Sequence, residues 1–202
     1  MKDVELCDVT IHIPDSPVAL NVSGGADSAL LLYILMKYSD HHITALSSGN
    51  NELGMSNTVA ASHIVNKVIE LTDNYNIDHN IRYMRDFQGE SLSQYDLVDN
   101  TLYYYGTTSN PPHDVMSGFN DVECGMSDRT PDVIRDTWRR NNRVHMPFSN
   151  IDKKKIAEMY DYLGITESVF PLTVSCTKND DGTHCDNCWW CSERKWAFGR
   201  LV

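Results

Sequence analysis

Leu20-Asn21-Val22-Ser23-Gly24-Gly25-Ala26-Asp27-Ser28 is the stretch whose reading decides the fold. A short apolar run, Val18 to Val22, ends in two glycines, and an almost continuously apolar run follows from Asp27 to Tyr38. That order reads as a buried strand, a tight turn and a buried helix. The glycines permit the turn and let backbone N–H groups approach an anion closely. The helix behind them offers free N–H groups and the positive end of its dipole. Ser23 and Ser28 add hydroxyl donors. Asp27 is ill suited to phosphate alone, because like charges repel, and a bridging Mg2+ accounts for it. No Gly-Lys-Ser/Thr follows, so this is not a Walker A loop.

The pattern continues on both sides of that loop. Ile43 to Leu46 reads as a second strand, and residues 56–71 place Ala61, Ile64, Val65, Val68 and Ile69 on one helical face. A third strand is expected in residues 79–84. Residues 91–105 read as helical through Tyr95, Val98, Leu102 and Tyr105, and Asp114 to Gly118 as a fourth strand. Residues 152–163 form a helix with Asp152 at its N-cap, Ile156, Tyr160 and Leu163 on one face, and Gly164 as its stop. Repeated alternation of strand and helix predicts an α/β fold with a doubly wound, mostly parallel sheet. Between Gly106 and Arg143 the chain is irregular and rich in Asn, Pro, Asp and Gly, as binding loops and lids are.

With 202 residues the chain is sized for one full domain, taken here as 1–202. Hydrophobic and charged contents of 41% and 22% are those of an ordinary globular protein. No apolar run reaches the ~18 residues of a membrane span, and Met1 to Asp8 lacks the pattern of a signal peptide, so the expected compartment is cytoplasmic with no membrane partner. A net charge of −11 argues against non-specific nucleic-acid binding. Residues 129–155 nonetheless hold eight of the 17 Lys and Arg, from Arg129 to Lys155. They are either a solvated surface or a local anion site for a triphosphate or carboxylate.

Six cysteines in a cytosolic chain rarely mean disulfides. Cys7 and Cys124 stand apart and read as incidental thiols. Cys176, Cys185, Cys188 and Cys191 have the short spacings with which thiolates meet one tetrahedral ion. Four soft ligands with no open position suit structural Zn2+, in a zinc-binding subregion of residues 174–198; an iron–sulfur cluster or a loose set of thiols are the alternatives. Arg194 and Lys195 are placed to stabilise the thiolates, and His184 is a spare ligand. Trp189, Trp190, Trp196 and Phe198 read as packing that ties the metal knuckle to the core.

Ser23-Gly24-Gly25-x-Asp27-Ser28 resembles the PP-loop of the ATP pyrophosphatases, which adenylate a carbonyl oxygen on an adenine nucleotide alpha hydrolase-like fold. With the cysteine cluster, the chain resembles the 7-cyano-7-deazaguanine synthase family. Three blocks carry the likeness: Ser23 to Ser28; Met146-Pro147-Phe148 with Asp152-Lys153 and Ile156; and Ser175-Cys176, Cys185, Cys188 and Cys191 with Glu193-Arg194 and Ala197-Phe198. In the middle the chain departs from the family. It keeps Gly118, Asn120 and Glu123, and later only Pro131-Asp132, without the expected aromatic and cysteine.

The resemblance implies an ATP-dependent ligase of queuosine biosynthesis that takes 7-carboxy-7-deazaguanine and ammonia to 7-cyano-7-deazaguanine. It implies Ser23, Gly24, Gly25, Asp27 and Ser28 around the nucleotide, with Asp27 acting through Mg2+. Lys153 is then a cationic clamp beside the helix start, so Asp27, Ser28 and Lys153 are the candidate catalytic set. Zn2+ on the four cysteines is structural, and the family's members pair as homodimers. A relative that stops at the amide, thiolates tRNA or conjugates a deazaguanine to a protein shares these motifs.

Overall fold

The computed structural model describes residues 2–50, 56–84, 101–119, 129–140, 142–179 and 181–202. Its first element is an antiparallel hairpin, β1 (Lys2–Leu6) against β2 (Val9–Ile13), turned by Cys7 and Asp8, both at positive φ. Such a two-residue turn matches the right-handed twist of the flanking strands. Val4, Leu6, Ile11 and Ile13 are buried and their neighbours face outward, the period-two pattern of a half-buried ribbon. That alternation lies in the sequence but is absent from the strand expectations above.

The main sheet contains β3 (Val18–Asn21), β4 (Ile43–Asn50), β5 (Ile77–Met84), β6 (Leu102–Tyr104), β7 (Trp138–Arg139) and β8 (Val144–His145). Its order is β5-β4-β3-β6-β8-β7, parallel throughout except for β7, which runs antiparallel to β8 at the edge. The helices are α1 (Ala26–Tyr38), α2 (Ser56–Thr72), α3 (His113–Met116), α4 (Lys153–Leu163) and α5 (Trp189–Phe198). α1 packs against α2 and α4, and α4 against α5. The expected mixed, mostly parallel α/β sheet is present, and its order winds outward in both directions from β3.

α1 is the centre of the core. Residues Ser28 to Met36 are all buried, as befits a helix that is apolar on nearly every side. α4 has the opposite character, one buried face and one wet one. The Asp152 carboxylate accepts N–H bonds from Lys154 at 2.9 Å and Lys155 at 3.2 Å, and Gly164 ends the helix at φ 68°. Tyr160 on its inner face donates from its hydroxyl to the Ala26 carbonyl, 2.9 Å away, and so ties α4 to the start of α1.

Two expectations are corrected. Asp114 to Gly118 is not a strand: Pro111-Pro112 leads directly into the short helix α3, with Pro112 at its N-cap. The helix expected over 91–105 lies outside the described residues up to 100, and its last part is strand β6. Leu102-Tyr103-Tyr104, a leucine and two tyrosines, is a strand whose backbone pairs with β3 on one side and β8 on the other. Among the described residues no helix is long and apolar enough to cross a membrane.

The far edge of the sheet carries a buried imidazole. His145, 1% exposed, stacks on Trp138 at 4.2 Å and meets the Tyr104 ring edge-on at 5.2 Å. Burial first, and then His12 at 5.3 Å, push its pKa down to about 4, against an opposing bond to Thr137 backbone. The folded value lies below the unfolded one of 6.5, so the stability His145 contributes is complete above pH 6.5 and is lost as pH falls towards 4. Its full size is on the order of 3 kcal/mol. In urea titrations the wild type should lose more stability between pH 7 and 4 than His145→Gln. Equal slopes would show that His145 is not the acid-sensitive group.

Candidate functional site

The direction of strand addition reverses beside β3, with β4 and β5 on one side and β6, β8 and β7 on the other. In an open α/β sheet a crevice opens beyond the carboxyl ends of the strands at such a reversal. Here it is a cleft of about 220 Å³, lined after β3 by Ser23, Gly25, Ala26, Asp27 and Ser28, and after β6 by Tyr105, Gly106 and Thr107. Lys153 and Arg129 enter from elsewhere in the chain, with Val174, Ser175 and Trp190.

The loop after β3 is held by its own serines. The Ser28 hydroxyl accepts from the Ser23 N–H at 3.2 Å and donates to the Gly25 carbonyl at 3.0 Å. Ser23 Oγ lies 3.2 Å from Ser28 Oγ and accepts from the Gly25 N–H at 3.4 Å. Gly24 sits at φ +83°, and a Cβ there would lie 2.5 Å from the Asn57 carbonyl oxygen, so glycine is required twice over. Gly106 is required by space alone. A Cβ on it would lie 2.7 Å from the Asp27 carbonyl carbon and 2.8 Å from Ser28 N. The Val174 N–H donates to the Gly24 carbonyl at 2.8 Å and pins the chain leading to the cysteines against the loop.

Four charged side chains converge at the cleft. Lys153 Nζ lies 3.3 Å from Asp27 Oδ2 and 3.0 Å from Glu193 Oε2, and Arg129 Nη2 lies 3.6 Å from Glu193 Oε1. Glu193 is fully buried and the Asp27 side chain is 14% exposed. Burial raises the Asp27 pKa, and Lys153 opposes it. Burial alone would lower the Lys153 pKa; Asp27 and Glu193 more than reverse this, so it ends raised and the amine stays charged. Asp27 Oδ1 makes no hydrogen bond among the described residues, which leaves one carboxylate oxygen for a cation. The start of α1, which lines the cleft, together with Lys153 and Arg129 forms a setting for a polyanion.

The structure therefore brings Ser23, Gly24, Gly25, Asp27, Ser28 and Lys153 into one place. Of the basic run 129–155 only Arg129 and Lys153 are buried. Arg135 bonds the carbonyls of Thr130 and Val133, Lys155 pairs with Glu158, and Lys154 lies over the Trp196 ring. Sequence reasoning missed Gly106, Trp190 and the role of Glu193. Helical spacing puts residues 190 and 193 on the same side of α5, the side that bears on the cleft, but it does not reveal the distant partners that give Glu193 its role. Asn120, Glu123 and Cys124 lie outside the described residues.

The sulfurs of Cys176, Cys185, Cys188 and Cys191 all lie within 4.8 Å of one another, and those of Cys185 and Cys191 are 4.0 Å apart. A tetrahedral ion with Zn–S bonds of about 2.3 Å needs sulfurs about 3.8 Å apart, so the set fits a metal with small adjustments. Backbone N–H groups of Lys178, Asn187 and Cys191 point at Cys176, Cys185 and Cys188 from 3.4 to 3.5 Å, as they do around thiolates. Cys188 also caps α5. His184 lies outside the four-sulfur group. Arg194 bonds Leu201 O at 2.6 Å, Thr173 Oγ1 at 2.6 Å and Phe170 O at 3.0 Å, and Lys195 pairs with exposed Asp186. Their first duty is thus structural. None of Trp189, Trp190 and Trp196 is exposed, so the C-terminal helix presents no open tryptophan face.

Residues 113–202 match the family described as queuosine biosynthesis protein QueC, and over that stretch the chain is QueC-like. No curated protein matches the chain. Among solved structures it is similar to NMN synthetase from Francisella tularensis, at 15% identity and a TM-score of 0.48, covering 92% of this chain and 78% of that one. It is also similar to U34-tRNA thiolase NcsA from Methanococcus maripaludis with its 4Fe-4S cluster, at 15% identity and a TM-score of 0.42, covering 88% and 63%.

Two substitutions probe this geometry. Gly106→Ala should push the start of α1 away from β6 and abolish anion binding in the cleft while the chain still folds; binding at wild-type strength would show that the two loops do not touch. Cys188→Ala removes a sulfur and the cap of α5 together. Metal content, read by elemental mass spectrometry on the purified protein, should fall from about one equivalent to near zero, and the melting temperature should drop with it. A stable variant that keeps its metal would exclude Cys188 as a ligand.

Proposed function

We propose that this chain is an ATP-dependent ligase that converts 7-carboxy-7-deazaguanine and ammonia to 7-cyano-7-deazaguanine. The observation that carries the reading is the cleft itself. The Ser23–Ser28 loop, which resembles a PP-loop, is closed there by Lys153, Val174 and Glu193 from the QueC-like stretch 113–202.

In this reading the substrate carboxylate attacks the α-phosphorus of ATP and pyrophosphate leaves. Ammonia attacks the acyl carbon and AMP leaves, giving the amide. The amide oxygen attacks a second ATP, pyrophosphate leaves again, and loss of AMP and a proton gives the nitrile. The protein's part is mainly to hold charge in place. Backbone N–H groups at the start of α1 and the hydroxyls of Ser23 and Ser28 face the phosphates. Lys153 balances their charge as it builds up on the leaving group. Asp27, with one oxygen unbonded, is the carboxylate suited to Mg2+, which would screen the phosphates when bound. Zn2+ on the four cysteines fixes α5 and takes no part in the chemistry. The chain works as one domain, in the cytoplasm and as a homodimer, on small molecules and not on nucleic acid.

The test is mass spectrometry of products after incubation with 7-carboxy-7-deazaguanine, ammonium, Mg2+ and ATP. The nitrile and AMP are expected. The amide alone would mean an enzyme that stops after one activation. ATP binding without conversion would move the reading to tRNA thiolation or to conjugation onto a protein. Asp27→Ala should remove turnover and leave the fold intact.

A further inference from the structure

The altered middle segment delivers a charged group that the motifs do not announce. Arg129 directly precedes Thr130-Pro131-Asp132, where the chain departs from the pattern it resembles. It is 8% exposed and lines the cleft beside Trp190. Its guanidinium is fixed on three sides. Nε and Nη2 both donate to Asn110 Oδ1, at 3.2 and 2.9 Å, and Asn110 is itself buried. Nη2 lies 3.6 Å from Glu193, and the Trp190 ring lies 5.2 Å from the guanidinium carbon. The Asn110 N–H also donates to the Arg129 carbonyl at 2.7 Å, so the two residues are locked through main chain and side chain together.

What this clamp leaves over is informative. Nη1 makes no hydrogen bond among the described residues. Glu193 sits closer to Lys153, at 3.0 Å, than to Arg129, so among the described residues the Arg129 charge has only a shared and more distant counter-ion. A planar fork held rigid, partly uncompensated and facing an open cleft is the usual arrangement for taking an oxyanion. An arginine that merely tied two loops together would have its donors turned into those loops.

We propose that Arg129 is a second cationic anchor of the cleft, binding an oxyanion opposite the Ser23–Ser28 loop, with Asn110 and Glu193 as its positioning residues. This rests on the nucleotide reading above. The oxyanion is a phosphate of the nucleotide or the carboxylate of the acyl substrate, and the experiment separates the two.

Arg129→Gln removes the charge and leaves Glu193 paired with Lys153. Calorimetric titration with inorganic pyrophosphate, and KM for 7-carboxy-7-deazaguanine, are compared with wild type. A phosphate contact raises the pyrophosphate Kd about tenfold or more; a carboxylate contact leaves that Kd unchanged and raises the KM by a similar factor. Either result supports the proposal. Both values within about twofold of wild type would overturn it, and Arg129 would be a tie between loops. A wild type that binds neither ATP nor pyrophosphate overturns the nucleotide reading itself. Should Arg129→Gln fail to fold, Arg129→Lys carries the test. It keeps the charge and loses the fork, so a several-fold weakening is expected in one of the two values, and wild-type values in both overturn the proposal.

Discussion

The constraint on which the site depends is one buried ammonium. Lys153 lies between Asp27 and Glu193, at 3.3 and 3.0 Å, and so joins three segments that are far apart in sequence. Taking three charges out of water is costly, and the mutual attraction offsets that cost only when all partners are present. Any one of them left alone would be an unpaired buried charge. The start of α1, the start of α4 and the middle of α5 are therefore required to meet in one register. Local sequence secures each helix in place: the glycine turn before α1, the Asp152 cap on α4 and the Cys188 cap on α5.

The C-terminal segment is tied to the core by a second buried cation, used differently. Among the described residues Arg194 has no carboxylate in direct contact. Its donors go to the Phe170 and Leu201 carbonyls and to the Thr173 and Ser175 hydroxyls, with the Phe170 ring 3.8 Å from the guanidinium carbon. Burial draws its pKa down to about 10, still far enough above neutrality for the charge to persist. These bonds fix the chain just before Cys176, and Val174 from that chain bonds the glycine loop. The four-sulfur cluster and the glycine loop are thus two ends of one short strap.

Legibility followed the range of the interactions involved. The loop, α1, β4, α2 and α4 are written in local patterns: glycines at a turn, apolar runs, a cap and a stop. β6 was misread because Leu102 and Tyr105 fall at helical spacing with Tyr95 and Val98 as readily as on a strand, and only pairing with β3 and β8 decides between them. Asp114 to Gly118 was misread because a short apolar stretch carries no period, whereas the two prolines before it set a helix start. The four cysteines could be grouped from spacing alone. Glu193 could not be assigned a role, because its partners lie 40 and 64 residues away and an isolated glutamate beside an arginine reads as ordinary helix surface.

A buried glutamate behind the cleft has a physical reason in the two cations beside it. Two buried cations that share one carboxylate repel each other, and without that counter-charge they would turn outward to water. Glu193 stands behind both, with one oxygen toward each, and keeps them in the wall when no ligand is bound. Asp27 assists from the loop side but shares Lys153 and has one oxygen left unbonded. Glu193 is placed by the helix that Cys188 and Cys191 begin. The direction in which the two cations point is set by how α5 leaves the cysteine knuckle. The four-sulfur cluster and the wall of the cleft therefore meet through a single turn of helix.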